Sequence, residues 1–250
     1  MKPWGPLSLE EGQAARLRLG PLTLSIWREP GALRLVEERG QDPLVPNQVL
    51  EPLEAPIPQS ARRLVLPAEG PLRLLPATAD RPVVARPDHP VLLSPGARLT
   101  VYVATPLWLQ LRQDQTLLLD LPVARPASTW FGPSPMDGEL AYASRTSLHT
   151  SSGGLLPLLH RAATQIEIRN AASDSLNLQR LVLPVRQLAL FEGSDGRPWT
   201  GGLRLERVEQ DSAVLERVPD ASHKPIASPR DPEPPSGLLR AFNAFAPRAL

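Results

Sequence analysis

Arg16-Leu17-Arg18-Leu19, then Leu22-Thr23-Leu24-Ser25-Ile26, then the turn signal Glu29-Pro30-Gly31 set the pattern that the rest of the chain repeats. Leucine alternates with a polar residue in both runs, the period-2 mark of a strand with one buried face. The same alternation returns in Leu72-Arg73-Leu74, Leu107-Trp108-Leu109-Gln110-Leu111 and Leu203-Arg204-Leu205. More continuous runs, Arg63-Leu64-Val65-Leu66, Leu99-Thr100-Val101-Tyr102-Val103, Leu117-Leu118-Leu119 and Leu181-Val182-Leu183, suit strands covered on both faces.

Leucine favours helices over strands, so the punctuation decides. Thirty-one prolines recur at short intervals, each removing a backbone donor and breaking helices. Turn signals at Glu69-Gly70-Pro71, Ser94-Pro95-Gly96 and Glu192-Gly193-Ser194-Asp195-Gly196 separate strand-sized pieces. The expectation is an all-β protein of antiparallel β-sandwich architecture, with no room for the helices of parallel βαβ units. Two modules are expected, residues 1–121 and an immunoglobulin-like sandwich over 122–219, joined through Pro122-Val123-Ala124-Arg125-Pro126. In the second, Ala163 to Asn170, the polar turn Ser173-Asp174-Ser175 and Leu176 to Pro184 read as strand, turn, strand. Residues 220–250 then form a proline-rich linker and a short amphipathic helix. Ser236 would cap that helix, Leu238, Leu239, Phe242 and Phe245 would share one face, and Pro247 would end it. So short a helix needs its apolar face buried against the sandwich, a partner protein or a membrane surface.

The composition excludes several functions. The chain of 250 residues has no cysteine, which removes disulfides, thiolate metal sites and cysteine nucleophiles and fits a reducing compartment or simple indifference to redox state. Glu10, Glu11 and Arg16 interrupt any signal-like apolar run, and no window reaches the ~18 to 20 apolar residues of a membrane span. Cytoplasmic location is the expectation, with peripheral membrane association open through the C-terminal helix. Net charge is +1, from 27 basic and 26 acidic residues of interspersed sign, so nucleic acid is not an expected partner.

The least generic stretch runs from Pro122 to Ser144. It holds Thr129-Trp130-Phe131-Gly132-Pro133, Asp137-Gly138-Glu139 and Tyr142, and Trp108 precedes it. Trp108, Trp130, Phe131, Asp137, Glu139 and Tyr142 form the candidate binding surface. Adjacent on a strand, Trp130 and Phe131 point to opposite faces, one toward a core and one toward solvent. Their plainer reading is packing alone. Asp137-Gly138 is a turn dipeptide, which gives Asp137 a local structural role, and Glu139 stands as a lone general acid or base. Paired-carboxylate chemistry needs carboxyls ~5 to 9.5 Å apart across a bond, which i, i+2 spacing at a turn does not establish. His89, His149, His160 and His223 lack any HxH or HExxH spacing, so no metal is expected. Ser144, Ser147, Ser151 and Ser152 surround His149 without a Gly-x-Ser-x-Gly elbow. No catalytic residue and no cofactor are assigned.

Taken together, Thr105-Pro106-Leu107-Trp108, Thr129-Trp130-Phe131-Gly132, Gly138-Glu139-Leu140-Ala141-Tyr142-Ala143 and Arg180-Leu181-Val182-Leu183-Pro184 resemble the archaeal and bacterial domain-of-unknown-function family number 432. The resemblance covers about Trp4 to Trp199. It brings no catalytic residues with it, and it implies an accessory role near a membrane protein, because such genes lie beside those of small mechanosensitive channels. The expected function is a non-enzymatic protein-interaction or accessory module. A carbohydrate or small-ligand binding module is the alternative, and a hydrolase built on Asp137, Glu139 and a histidine is the third reading.

Overall fold

The computed structural model describes residues 3–132, 136, 138–208, 213–218, 224–231 and 238–239. Strands follow one another as β1 (Gly5–Leu7), β2 (Ala14–Leu19), β3 (Leu22–Glu29), β4 (Ala32–Arg39), β5 (Gln48–Pro52), β6 (Arg62–Val65), β7 (Leu72–Ala77) and β8 (Val83–Pro87). Then come β9 (Val91–Leu93), β10 (Arg98–Pro106), β11 (Trp108–Gln113), β12 (Thr116–Pro122), β13 (Ala127–Phe131), β14 (Glu139–Leu148), β15 (Arg161–Asn170) and β16 (Leu176–Leu178). The last are β17 (Leu181–Leu183), β18 (Leu190–Glu192), β19 (Pro198–Thr200), β20 (Gly202–Arg207), β21 (Ala213–Val218), β22 (Lys224–Ala227) and β23 (Leu238–Leu239). The fold is all-β. Among the described residues the helical segments are two single 3-10 turns, Ser152–Gly154 and Val185–Gln187. No helix among them is long and apolar enough to cross a membrane.

The chain divides into two compact units that alternate along the sequence. The first consists of Met1–Ala77, Leu107–Arg125 and Leu158–His160, and the second of Thr78–Pro106, Pro126–Pro157 and Arg161–Leu250.

In the first unit, one sheet has the order β5-β2-β3-β4-β6 and the other β1-β7-β11-β12, all pairs antiparallel. Strict alternation buries every second residue of β2, so Ala15, Leu17 and Leu19 face inward while arginines face out. Leu17, Leu19, Leu22, Leu24 and Ile26 from one sheet meet Leu72, Leu74, Leu109 and Leu111 from the other in a single core. Each such side chain contributes roughly 1.5–3 kcal/mol on burial, which outweighs the poor β-propensity of leucine. Gly20 turns the chain between β2 and β3 at φ +52°, and a Cβ there would lie 2.8 Å from the His160 ring. His160 itself is buried, its Nε2 2.9 Å from the Pro43 carbonyl oxygen.

The second unit is more irregular. β15 has β10 antiparallel along one edge and β19 and β20 parallel along the other, within a larger sheet ordered β22-β18-β19-β15-β20-β21-β23. A second sheet runs β13-β14-β8-β17, with β14 and β8 parallel, and β16 pairs β9 alone. Antiparallel pairing therefore dominates, but three pairs are parallel, and strands rather than helices make their crossovers. The expected single strand from Leu176 to Pro184 is two: the chain breaks pairing at Gln179-Arg180, β16 joining β9 and β17 joining β8.

A buried polar clamp ties the end of β20 to the turn after β15. Arg207, 1% exposed, donates from Nη1 to Asn170 Oδ1 at 3.2 Å and to the Asp174 carbonyl at 3.1 Å, and from Nη2 to Asp174 Oδ2 at 3.0 Å. Asn170 Nδ2 donates in turn to the carbonyls of Asp174 (2.7 Å) and Leu93 (3.0 Å). The polar turn Ser173-Asp174-Ser175 thus carries the counter-charge of an arginine that alternation sends into the interior.

Of the helix expected between Ser236 and Pro247, Leu238–Leu239 form β23, paired with Ala213 and Val214 of β21. Extended pairing replaces helical geometry at those two positions. The rest of that segment lies outside the described residues.

Candidate functional site

β13 and β14 pair antiparallel with Trp130 opposite Leu140, Phe131 opposite Glu139 and Ser128 opposite Tyr142. Alternation then assigns the faces. Phe131, 3% exposed, packs with Ala141, Val84 and Val182 on one face. Trp130 and Leu140 stand on the other, 42% and 44% exposed. That second face continues inward through Val83, Ala85, Leu181 and Leu183, all essentially solvent-free. The outer pair of strands therefore carries a core-type face beyond the point where the unit covers it. β13 ends the sheet, and among the described residues no strand pairs with its outer edge. Met136, 94% exposed, adds a flexible apolar group in the connection between the two strands.

Gly138 shapes this corner. A Cβ there would approach the Phe131 carbonyl oxygen to 2.5 Å, Trp130 Nε1 to 2.6 Å and Gly132 Cα to 2.9 Å. Only glycine allows the return strand to pass so close under the indole. Tyr142, farther along β14, donates its hydroxyl to Asp80 Oδ1 at 2.8 Å, and the Arg81 guanidinium sits 5.4 Å from its ring centroid. Burial, reinforced by the Asp80 carboxylate, raises the pKa of this phenol, so the hydroxyl stays a donor.

Glu139 lies opposite Phe131 on the apolar face, and desolvation pushes its carboxyl above the usual range. No ion pair to it exists among the described residues. Asp137 lies outside the described residues. Trp108 belongs to the other unit: at 3% exposure, between β7 and β12, its ring is covered and offers no stacking surface. A central strand position imposes that burial, which neighbours in sequence do not signal. His149, just beyond the end of β14, pairs through its backbone with Tyr102 of β10. Among the described residues no three His, Asp or Glu side chains converge as metal ligands.

Sequence reasoning passed over a groove in the first unit, about 610 Å³ in volume. Leu7, Leu9, Trp27, Leu50 and Leu53 form its apolar walls, with Ser8, Gln13, Glu51 and Glu54 among its polar groups. It opens between the edge strands β1 and β5 of the two sheets. Trp27 Nε1 donates to the Ala55 carbonyl at 2.8 Å, which pins the segment after β5 across it. Pro6 and Pro52, each lacking an N–H at a sheet edge, were the available signal.

No curated protein and no solved structure matches the chain. The family model described as "Protein of unknown function (DUF432)" matches residues 3–245, a longer span than the Trp4 to Trp199 suggested by the motifs. The Trp130–Leu140 corner and the leucine core both fall inside it, and the chain belongs to the DUF432 family.

Proposed function

We propose that this chain is a non-enzymatic β-sandwich interaction module that binds a partner protein across the Trp130–Leu140 face of β13 and β14. The observation that carries the reading is the exposure of Trp130 (42%) and Leu140 (44%) on a sheet face whose inner positions Val83, Ala85, Leu181 and Leu183 are fully buried. A rigid tryptophan beside an aliphatic residue is the composition of an interface anchor. The outer edge of β13, unpaired among the described residues, offers backbone groups to an extended partner segment. A membrane channel, which the family resemblance implies, is one such partner.

The test is an affinity pull-down from native membranes and from cytosol with the full chain, Trp130→Ala, Leu140→Ala and, as control, Val65→Ala, an exposed position in the other unit (69%). One protein retained by wild type and Val65→Ala and lost with both face variants is the expected result. Loss of an anchor of this kind weakens binding about thirtyfold or more. Equal retention by all four chains sinks the proposal.

The groove of the first unit favours a second reading, small-ligand binding. Its volume of about 610 Å³ and apolar lining with a few polar groups suit a compact, largely apolar ligand. Carbohydrate binding would instead use Trp130 as a platform, and a glycan array that distinguishes wild type from Trp130→Ala separates these ideas.

A further inference from the structure

Several arginines in this chain are matched to acids. Glu37 takes Arg39, Arg62 and Arg125; Glu29 takes Arg34 and Arg63; Glu167 and Glu216 share Arg204; Asp174 takes Arg207. Among the described residues Arg86 and Arg180 are unmatched neighbours, and one of them has a buried donor left idle. β8 and β17 pair as far as Leu181 opposite Ala85, and Arg180, the residue just before β17, lies near Arg86: burial, and then the neighbouring Arg86 charge, hold its pKa below the usual arginine value. Like charges held near each other repel. Among the described residues neither guanidinium has a carboxylate within 4.0 Å, and Arg180 Nε is buried with no hydrogen-bond acceptor. Asp88, the acid nearest in sequence to Arg86, accepts instead from Ser147 Oγ at 2.6 Å. A half-buried guanidinium with an idle Nε–H, near a second exposed guanidinium, lacks one thing: an acceptor carrying negative charge.

We propose that Arg86 and Arg180 form a binding site for a phosphate-type oxyanion, free or borne on a larger molecule. The Nε edge of a guanidinium presents parallel N–H donors that match two oxygens of such an anion, and the charge of the anion removes the repulsion. Arg86 follows Val84 by alternation within β8 and so lies on the Phe131 face of the sheet, opposite the Trp130 face. The site therefore stands or falls independently of the proposed protein interface.

The experiment titrates the full chain with inorganic phosphate at ionic strength held constant by sodium chloride, reading affinity by calorimetry and the thermal midpoint in parallel. A second arm uses vesicles of phosphatidylcholine with and without phosphatidylglycerol. Saturable phosphate binding that raises the midpoint, weakened roughly tenfold in both Arg180→Gln and Arg86→Gln, is the expected result. In chloride alone Arg86→Gln should be at least as stable as wild type, because a repulsion is removed. Binding confined to the phosphatidylglycerol vesicles, and lost in the same variants, assigns the anion to a lipid headgroup. No binding in either arm, or binding that both variants leave unchanged, overturns the site.

Discussion

Replacing Arg207 with methionine removes the guanidinium from the clamp while keeping much of its volume. The cost follows from which acceptors lose their donors. The Asp174 carbonyl keeps Asn170 Nδ2 at 2.7 Å, and the Asp174 carboxylate, on a side chain 66% exposed, returns to water. Asn170 Oδ1, on a residue with no exposure, loses the Arg207 donor described at 3.2 Å. An orphaned buried acceptor costs about 1–3 kcal/mol, the exposed carboxylate is simply rehydrated, and relief from burying a charge offsets part of the cost. Arg207→Met should therefore destabilise by about 2 kcal/mol. Asn170→Leu should cost more, about 3–4 kcal/mol, because it strands the Leu93 carbonyl and takes an acceptor from a buried cation. The double variant should cost clearly less than the two singles together, with a coupling of about 1–2 kcal/mol, since each substitution removes the partner the other leaves stranded. Urea unfolding of the four chains, followed by far-ultraviolet circular dichroism and tryptophan fluorescence, measures the cycle. Additivity within about 0.5 kcal/mol would refute the clamp as the source of the stability.

Two further outcomes follow from the first unit. Gly20→Ala should destabilise by about 2–4 kcal/mol, since φ is +52° and the new Cβ meets the His160 ring at 2.8 Å, whereas Gly31→Asn, at φ +63° with nothing within 4 Å, should cost under about 1 kcal/mol; urea midpoints that rank them the other way contradict the packing described. Burial draws the Glu37 carboxyl upward, but the hydrogen bond and charge of Arg39, with Arg62 and Arg125, outweigh it and hold its pKa below the usual value. A carboxyl lowered in the folded state adds stability that is present above its unfolded pKa and lost as the pH falls through its folded one. Glu37→Gln should thus lower the urea midpoint at neutral pH and converge with wild type in acid, and parallel pH profiles would contradict it.

The strands were legible because they are local. Leucine alternation marks β2 and β3, and the turn at Glu29-Pro30-Gly31 folds β3 back onto β4, without help from distant residues. The opposed directions of Trp130 and Phe131 follow from the same period. Burial of Trp108 was not legible, because it depends on β7 and β12 flanking β11 from far along the sequence. The Arg207 clamp and the nearness of Arg86 to Arg180 were hidden for the same reason: an arginine in an alternating sequence looks solvated until the fold brings distant residues beside it. The groove is likewise a product of where two sheets end, which no single segment specifies.

The alternation of the two units along the chain imposes an order on synthesis. β7 has emerged from the ribosome, with Leu72 and Leu74 ready to be buried, well before its neighbour β11 exists, a wait of a few seconds at roughly 5–20 residues per second. Until then the half-built sheet presents a leucine face and an open edge to solvent, the form of nascent chain that chaperones hold and that aggregates without them. His160, whose ring seats against Gly20, arrives later still, after β13 and β14 have been made. The first unit to begin translation therefore cannot be finished until much of the second has left the tunnel.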